Sequence, residues 1–183
     1  MQNDIKEVLI SEEEIKEMIK ELGRKIDKDY KGKNLLLVSV LKGSIVFMAD
    51  LMRAINLPCQ IDFMAVSSYG AGTTSSGAVK ILKDLDTDLE GFDVLIIEDI
   101  LDSGKTLSYI LKILKSRKPA SLKICTLFDK PKRRKVKLKA DYFGCVVPDE
   151  FIVGYGLDYA EIYRNLPFVA VLKENIYNEN ETN

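Results

Sequence analysis

The chemistry-bearing residues of this chain gather in one string, Val94-Leu95-Ile96-Ile97-Glu98-Asp99-Ile100-Leu101-Asp102-Ser103-Gly104-Lys105-Thr106. An apolar run, Val94 to Ile97, stops at two adjacent acids. A turn of small and polar residues then opens a helical pattern at Leu107, Ile110, Leu111 and Leu114. Backbone N–H groups at such a helix start suit a phosphate. Gly104 lets the backbone approach closely, and the hydroxyls of Ser103 and Thr106 can donate. Glu98 and Asp99 would repel a bare phosphate. They make sense if the ligand also carries hydroxyl groups that need acceptors, or a cation, and a ribose phosphate with magnesium meets both needs. Taken singly, each acid is an ordinary acid near a helix start, with Asp102 as an N-cap; the whole string argues for a site. Gly104-Lys105-Thr106 matches the end of a P-loop, but the glycine required five residues earlier is Asp99. A nucleotide-triphosphatase reading therefore fails on spacing and on charge.

The composition narrows the remaining chemistry. The chain has 183 residues and no histidine, so imidazole acid–base catalysis, serine triads and most zinc sites are excluded. Carboxylates, lysines, arginines, hydroxyls or a bound cation must do the work. The net charge of −1 points to neither nucleic acid nor a membrane surface. Cys59, Cys125 and Cys145 are far apart and odd in number, which predicts reduced thiols of a cytoplasmic protein. The opening MQNDIKEVLISEEE lacks the basic flank and apolar core of a signal peptide, and no apolar run approaches the ~20 residues of a membrane span.

The elements that must position these groups follow from periodicity. Ser11 and Glu14 form a capping-box pattern ahead of Ile15, Met18, Ile19, Leu22 and Ile26, which predicts a helix over 12–28. Leu35 to Val40 reads as a strand, 44–55 as a helix closed by Asn56 and Pro58, and Ile61 to Val66 as a strand. Residues 67–77, SSYGAGTTSSG, read as a loop of the kind that can close over a site. Ala78–Lys83 and Val94–Ile97 are expected strands, Glu98 to Ser103 a loop, and 104–116 a helix. Further strands are expected at 122–128, 142–146, 151–153 and 168–172, with a polar tail from about 175. Strand–helix alternation with apolar strands predicts an α/β fold with a mainly parallel sheet, in one domain spanning 1–183.

The thirteen-residue string resembles the phosphoribosyl pyrophosphate signature of type I phosphoribosyltransferases. Other segments resemble the hypoxanthine-guanine branch of that family over roughly residues 5–172. Leu41-Lys42-Gly43 resembles its pyrophosphate loop, Ser68-Tyr69 the start of its lid, and Phe128-Asp129-Lys130 the segment that brings a lysine to the purine. Pro148 to Tyr159 resembles its purine-binding run, with Arg164 at the family's spacing. Lys105 stands where many superfamily members have a second glycine, as the hypoxanthine-guanine branch allows. The resemblance implies a twisted parallel sheet flanked by helices, with a small hood built from terminal segments. It implies magnesium-dependent transfer of a phosphoribosyl group to hypoxanthine or guanine, with xanthine as a rival base.

The resemblance also implies roles. Asp102 takes the purine proton at N7. Ser103, Gly104, Lys105 and Thr106 hold the 5′-phosphate. Glu98 and Asp99 hold the ribose hydroxyls directly or through magnesium. Lys42, Gly43 and Arg164 hold pyrophosphate. Phe151 stacks on the purine, Ile152 reads its edge through the backbone, and Lys130 donates to O6. Asp158 accepts from a guanine amino group or helps with a second magnesium. Ser68 and Tyr69 close over pyrophosphate. The partners implied are a 6-oxopurine base, phosphoribosyl pyrophosphate and further copies of the chain, as homodimer or homotetramer.

Lys130 to Lys139, KPKRRKVKLK, is the one strongly basic run. It reads as a solvated loop and edge strand, because Val136 and Leu138 alternate with lysines. The run is also the best support for an RNA-binding regulator of the same fold. The purine-pocket residues Lys130, Phe151 and Asp158 argue against that alternative, and no nucleic-acid partner is expected.

Overall fold

A computed structural model of the chain describes residues 1–68 and 79–178. The main sheet is built from β2 (Leu35–Leu41), β3 (Cys59–Ser68), β4 (Val79–Lys83), β5 (Asp93–Leu101), β6 (Ser121–Asp129) and β7 (Tyr142–Val146), after an initial β1 (Ile5–Ile10) that belongs elsewhere. Its spatial order is β4-β3-β2-β5-β6-β7. All neighbours run parallel except the antiparallel β3–β4 pair. Helices α1 (Glu12–Asp29), α2 (Ile45–Ala54) and α3 (Lys105–Ser116) supply the connections.

Side chains alternate across this sheet, and both faces are covered. Leu35, Leu37, Leu95, Ile97, Cys125 and Leu127 pack with Ile15, Ile19, Leu22 and Ile26 of α1 and Phe47 and Leu51 of α2. Leu36, Val38, Val94, Ile96 and Ile124 pack with Leu107, Ile110 and Leu114 of α3 on the other face. Two covered faces explain why β2 and β5 read as unbroken apolar runs rather than alternating ones. Helix α1 starts where the sequence predicts, with Ser11 and Glu14 capping one another reciprocally.

A second, three-stranded sheet of order β1-β9-β8 joins β8 (Ile152–Val153) and β9 (Val169–Leu172) to β1 in antiparallel fashion. This is the hood that the resemblance implies, and it draws on both ends of the chain. A short helix α4 (Glu174–Asn178) follows, and its Ile176 and Tyr177 pack against Val153, Tyr163, Leu172 and Phe151. The tail expected from about 175 therefore begins later, because apolar residues within it find a surface to cover.

Two further expectations need correction. Glu98 to Leu101 is strand, not loop: β5 runs on through both acids because Glu98, Ile100 and Leu101 pair with Thr126, Phe128 and Asp129 of β6. Residues 134–139 are not an edge strand. The basic run opens with a 3₁₀ turn at Pro131–Arg133 and then folds across the start of α3, with β7 forming the edge instead. The cysteines are unpaired. Among the described residues, no helix is long and apolar enough to cross a membrane.

Candidate active site

Parallel strands deliver their carboxyl ends to one rim of the sheet, where open α/β folds bind ligands. Three of the expected segments leave from that rim: Lys42-Gly43 after β2, Asp102 to Thr106 after β5, and Lys130 after β6. Ser68 ends β3; Tyr69 lies outside the described residues.

The turn after β2 is fixed from beneath. Ser44 Oγ lies 2.7 Å from Ser39 Oγ and donates to the Val40 carbonyl at 2.5 Å, all of it buried. The Leu41–Lys42 peptide is cis. Lys42 Nζ pairs with Glu161 at 3.0 Å. A Cβ on Gly43 would lie 1.9 Å from Asp99 Oδ2, 3.0 Å from the Gly156 carbonyl oxygen and 3.2 Å from Arg164 Nη1. The glycine is thus what lets this turn, Asp99 and Arg164 converge.

The turn after β5 has the geometry of an anion cradle. Gly104 caps α3 in the left-handed region at φ 76°, which a side chain would disfavour. Lys105 N–H reaches Ser103 Oγ at 3.4 Å. The first turn of α3 has no intrahelical acceptors for its N–H groups. A cavity of about 140 Å³ opens here, lined by Glu98, Asp102, Ser103, Gly104 and Thr106. Lys105 is exposed and does not line it.

A neighbouring cavity of about 270 Å³ is lined by Asp99, Asp102, Lys130, Phe151, Ile152 and Asp158, among others. Asp102 lines both cavities. Its Oδ1 is buried and has no hydrogen-bond partner, an acceptor held without a donor. Lys130 is 5% exposed, and its Nζ donates to the Glu150 carbonyl at 2.8 Å. Burial lowers the Lys130 pKa, partly offset by the nearby Asp102 charge. One face of the Phe151 ring stacks on Tyr177 at 4.9 Å, and Tyr159 meets it edge-on at 5.5 Å. Tyr177 supports the aromatic platform, and sequence reading missed it because it sits in a segment that looked like a polar tail.

Arg164 and Asp158 are found paired with each other at 2.8 Å rather than free. Arg164 Nη1 also donates to the Gly156 carbonyl at 2.7 Å, while its Nε is a buried donor without an acceptor. Asp158 Oδ2 accepts from Glu161 N–H at 2.9 Å. Glu161 thus touches Lys42, Arg164 and Asp158, a role that sequence reading did not give it.

Glu98 and Asp99 point to opposite sides of β5, as consecutive strand residues must. Glu98 lines the cradle and Asp99 the larger cavity. Glu98, Asp99 and Asp158 therefore do not form one three-carboxylate set, and no such cluster of metal-binding groups occurs among the described residues. Burial raises the Glu98 pKa well above the carboxylate range, and the Asp99 charge adds to it. Burial also pushes Asp99 up to about 6, with Ile100 N–H and the Arg164 charge pulling the other way. Two adjacent acids that resist ionisation lack positive charge. Magnesium characteristically takes one or two carboxylates and completes its shell with water and substrate phosphate. Lying on opposite sides of β5, Glu98 and Asp99 each fit that ion as a single carboxylate and not as a pair.

The raised Asp99 value has a measurable consequence. Between an ordinary 3.8 and about 6, the folded chain holds a proton that the unfolded chain has released. The group's contribution to stability is therefore full below about pH 4 and lost as pH rises through 6. Asp99→Asn should raise the melting temperature of the ligand-free protein at pH 8 by a few degrees, at roughly 2–4 °C per kcal/mol for a domain of this size. The gain should shrink towards pH 5, and activity should fall. Scanning fluorimetry across pH checks this.

A larger cavity, about 620 Å³, lies elsewhere, along Ser108, Lys112 and Lys115 of α3 and Pro119 to Leu122. It holds none of the convergent groups just described.

Residues 2–160 match the family model of the phosphoribosyl transferase domain. The chain is 60% identical over 179 residues to the hypoxanthine-guanine phosphoribosyltransferase of Streptococcus agalactiae, covering 98% of this chain and 99% of that protein. It is 58% identical to the bifunctional protein TilS/HprT of Listeria monocytogenes, of whose length it spans 28%. A crystal structure of a hypoxanthine phosphoribosyltransferase from Staphylococcus aureus superposes with a TM-score of 0.93 at 56% identity, over 97% of this chain and 96% of that one.

Proposed function

The chain belongs to the phosphoribosyl transferase family, and from that footing we propose that it transfers the 5-phosphoribosyl group of phosphoribosyl pyrophosphate to hypoxanthine or guanine. The products are IMP or GMP and pyrophosphate, a purine-salvage reaction. The observation that carries this reading is the unpartnered, buried Asp102 Oδ1 at the junction of the two cavities. One cavity has the donors for a sugar phosphate and the other has the walls for a flat base, and the shared wall is a proton acceptor.

In this reading the 5′-phosphate sits on the N–H groups of Ser103 to Thr106, and the ribose hydroxyls reach Glu98 and Asp99. Either acid, with water and substrate phosphate completing the shell, would also hold magnesium, which when bound offsets the charge of the phosphoribosyl pyrophosphate. Lys42, Gly43 and Arg164 receive pyrophosphate. Both cations pair with Glu161 in the ligand-free protein, so each would exchange a carboxylate partner for pyrophosphate. Phe151 stacks on the purine, and the backbone at Ile152 meets its edge. Asp158 serves the guanine amino group or a second magnesium only by sharing its carboxylate with Arg164. As the purine nitrogen attacks the anomeric carbon, the proton at N7 passes to Asp102. Ser68 and Tyr69 are proposed to cover pyrophosphate and keep water from the activated sugar. The whole chain acts as one transferase domain, cytoplasmic and as a homodimer or homotetramer, which sedimentation can check.

Lys130 is the proposed discriminator of the base. A buried ammonium finds an acceptor in a 6-oxo group and none in the amino group of adenine. Lys130→Met should lower kcat/KM for hypoxanthine by about 10–100-fold while adenine changes far less, measured by steady-state kinetics with both bases.

The proposal is tested by incubating the protein with magnesium, phosphoribosyl pyrophosphate and each of hypoxanthine, guanine, xanthine and adenine, with separation of the nucleotides formed. IMP and GMP are expected, and AMP is not. A protein that makes none of the four monophosphates does not have this function.

A further inference from the structure

The basic run 130–139 has no part in the reading above beyond Lys130, yet one of its members is nearly enclosed. Arg134 is 13% exposed and its ion-pair partner Asp129 is 18% exposed. Its guanidinium uses all three of its nitrogens in four contacts. Nε donates to the Asp102 carbonyl at 2.8 Å. One terminal nitrogen donates to the Leu101 carbonyl at 3.1 Å and pairs with the Asp129 carboxylate. The other donates to the Leu138 carbonyl of its own loop at 2.5 Å. Beside it, Lys135 N–H donates to the Ser103 carbonyl at 2.9 Å, and Lys130 N–H donates to the Leu101 carbonyl at 3.0 Å. The carbonyls of Leu101, Asp102 and Ser103 are thus all claimed from the side of the basic run.

A trans peptide unit is planar and its C=O and N–H point in opposite directions. Drawing these successive carbonyls towards residues 130–135 turns the N–H groups of Asp102, Ser103 and Gly104 the other way. That is the orientation a concave anion-binding nest needs. The same contacts fix the backbone that carries the Asp102 side chain. We infer that Arg134 is a positioning residue that pre-shapes the phosphate cradle and aims Asp102, by holding the carbonyl side of the turn. It touches no substrate. The inference rests on the proposed function only for the identity of the ligand.

Packing supports the assignment. A Cβ on Gly104 would lie 3.2 Å from Arg134 Cδ and 3.0 Å from Val136 Cγ2, so the loop is seated directly on the turn. Lysine cannot substitute at 134, since a single ammonium cannot span carbonyls on one side and the Asp129 carboxylate on the other.

The test compares Arg134→Lys with Lys137→Ala, an exposed change in the same run. Arg134→Lys should raise KM for phosphoribosyl pyrophosphate about tenfold or more and lower kcat, with KM for hypoxanthine within about twofold. Lys137→Ala should leave all three unchanged. In the ligand-free protein, hydrogen exchange at the Asp102, Ser103 and Gly104 amides should differ between Arg134→Lys and wild type. A folded Arg134→Lys protein with unchanged KM for phosphoribosyl pyrophosphate, or with equal losses for both substrates, overturns the inference. Should that variant fail to fold, Asp129→Ala frees one arm of the fork and must shift the same KM in the same direction; an unchanged value overturns the inference equally. A wild-type protein that makes no nucleotide would sink the proposed function alone, because the amide exchange still reads the role of Arg134.

Discussion

Asp102→Ala is expected to lower kcat for IMP formation by about 10²–10⁴-fold, with KM for either substrate changed by no more than several-fold. That range is what a positioned general base supplies. The carboxylate lies at the junction of both cavities, with Oδ1 buried and unpaired, and the charge of Lys130 is close by. Its side chain makes no hydrogen bond that a substrate must replace, so binding loses little when it goes. The transition state loses the group proposed to take the N7 proton. Asp102→Asn should fall with it, since an amide of the same shape cannot take that proton. Steady-state kinetics with each substrate varied in turn separates the two parameters. Near-normal turnover in either variant would remove Asp102 from the proton role.

Gly43→Ala should lower kcat/KM for phosphoribosyl pyrophosphate by about 10²-fold, and for hypoxanthine by much less. The added methyl would stand 1.9 Å from Asp99 Oδ2 and 3.0 Å from the Gly156 carbonyl. The Gly156 carbonyl cannot yield freely. Gly156 is itself packed so that its own Cβ would meet the Gly43 carbonyl oxygen at 2.2 Å, and Ser44 anchors the turn from below. Asp99 must swing away, taking with it the proposed partner of the ribose hydroxyls. A displacement of about 1 Å in a reacting group is enough for a loss of this order. Gly43 is itself buried, so the overpacking should also lower the melting temperature by several degrees, at roughly 1–3 kcal/mol and 2–4 °C per kcal/mol. A variant with normal kinetics would show that Asp99 and the Lys42-Gly43 turn do not work together.

The part of the site that reads from sequence is the part whose chemistry is local. Val94 to Thr106 carries its strand, its acids, its glycine and its helix start in one stretch, and the residues that line the cradle come from that stretch and the next residue, Leu107. What stayed hidden depends on residues distant in sequence. Strand β1 is short and finds its partner in β9, at the other end of the chain. Glu98 to Leu101 looks like a loop until β6 extends the ladder past the apolar run. Arg134 is one cation among many in a basic run, and only the fold reveals that its guanidinium faces inward while its neighbours face solvent. Tyr177 gives no sign in sequence that it backs Phe151. The pairing of Arg164 with Asp158 follows from a tight turn with left-handed residues at Ala160, Glu161 and Tyr163, which their types do not announce.

The central claim is that the turn leaving β5 cradles a sugar phosphate. Amide chemical shifts of the isotope-labelled protein, titrated with IMP and separately with inosine, test it most directly. IMP should move the amides of Ser103, Gly104, Lys105 and Thr106 most, and inosine, which lacks the phosphate, should leave those four nearly still. If IMP instead shifts residues along the Lys112–Pro119 cavity, or moves the β5 turn no more than inosine does, the account is wrong.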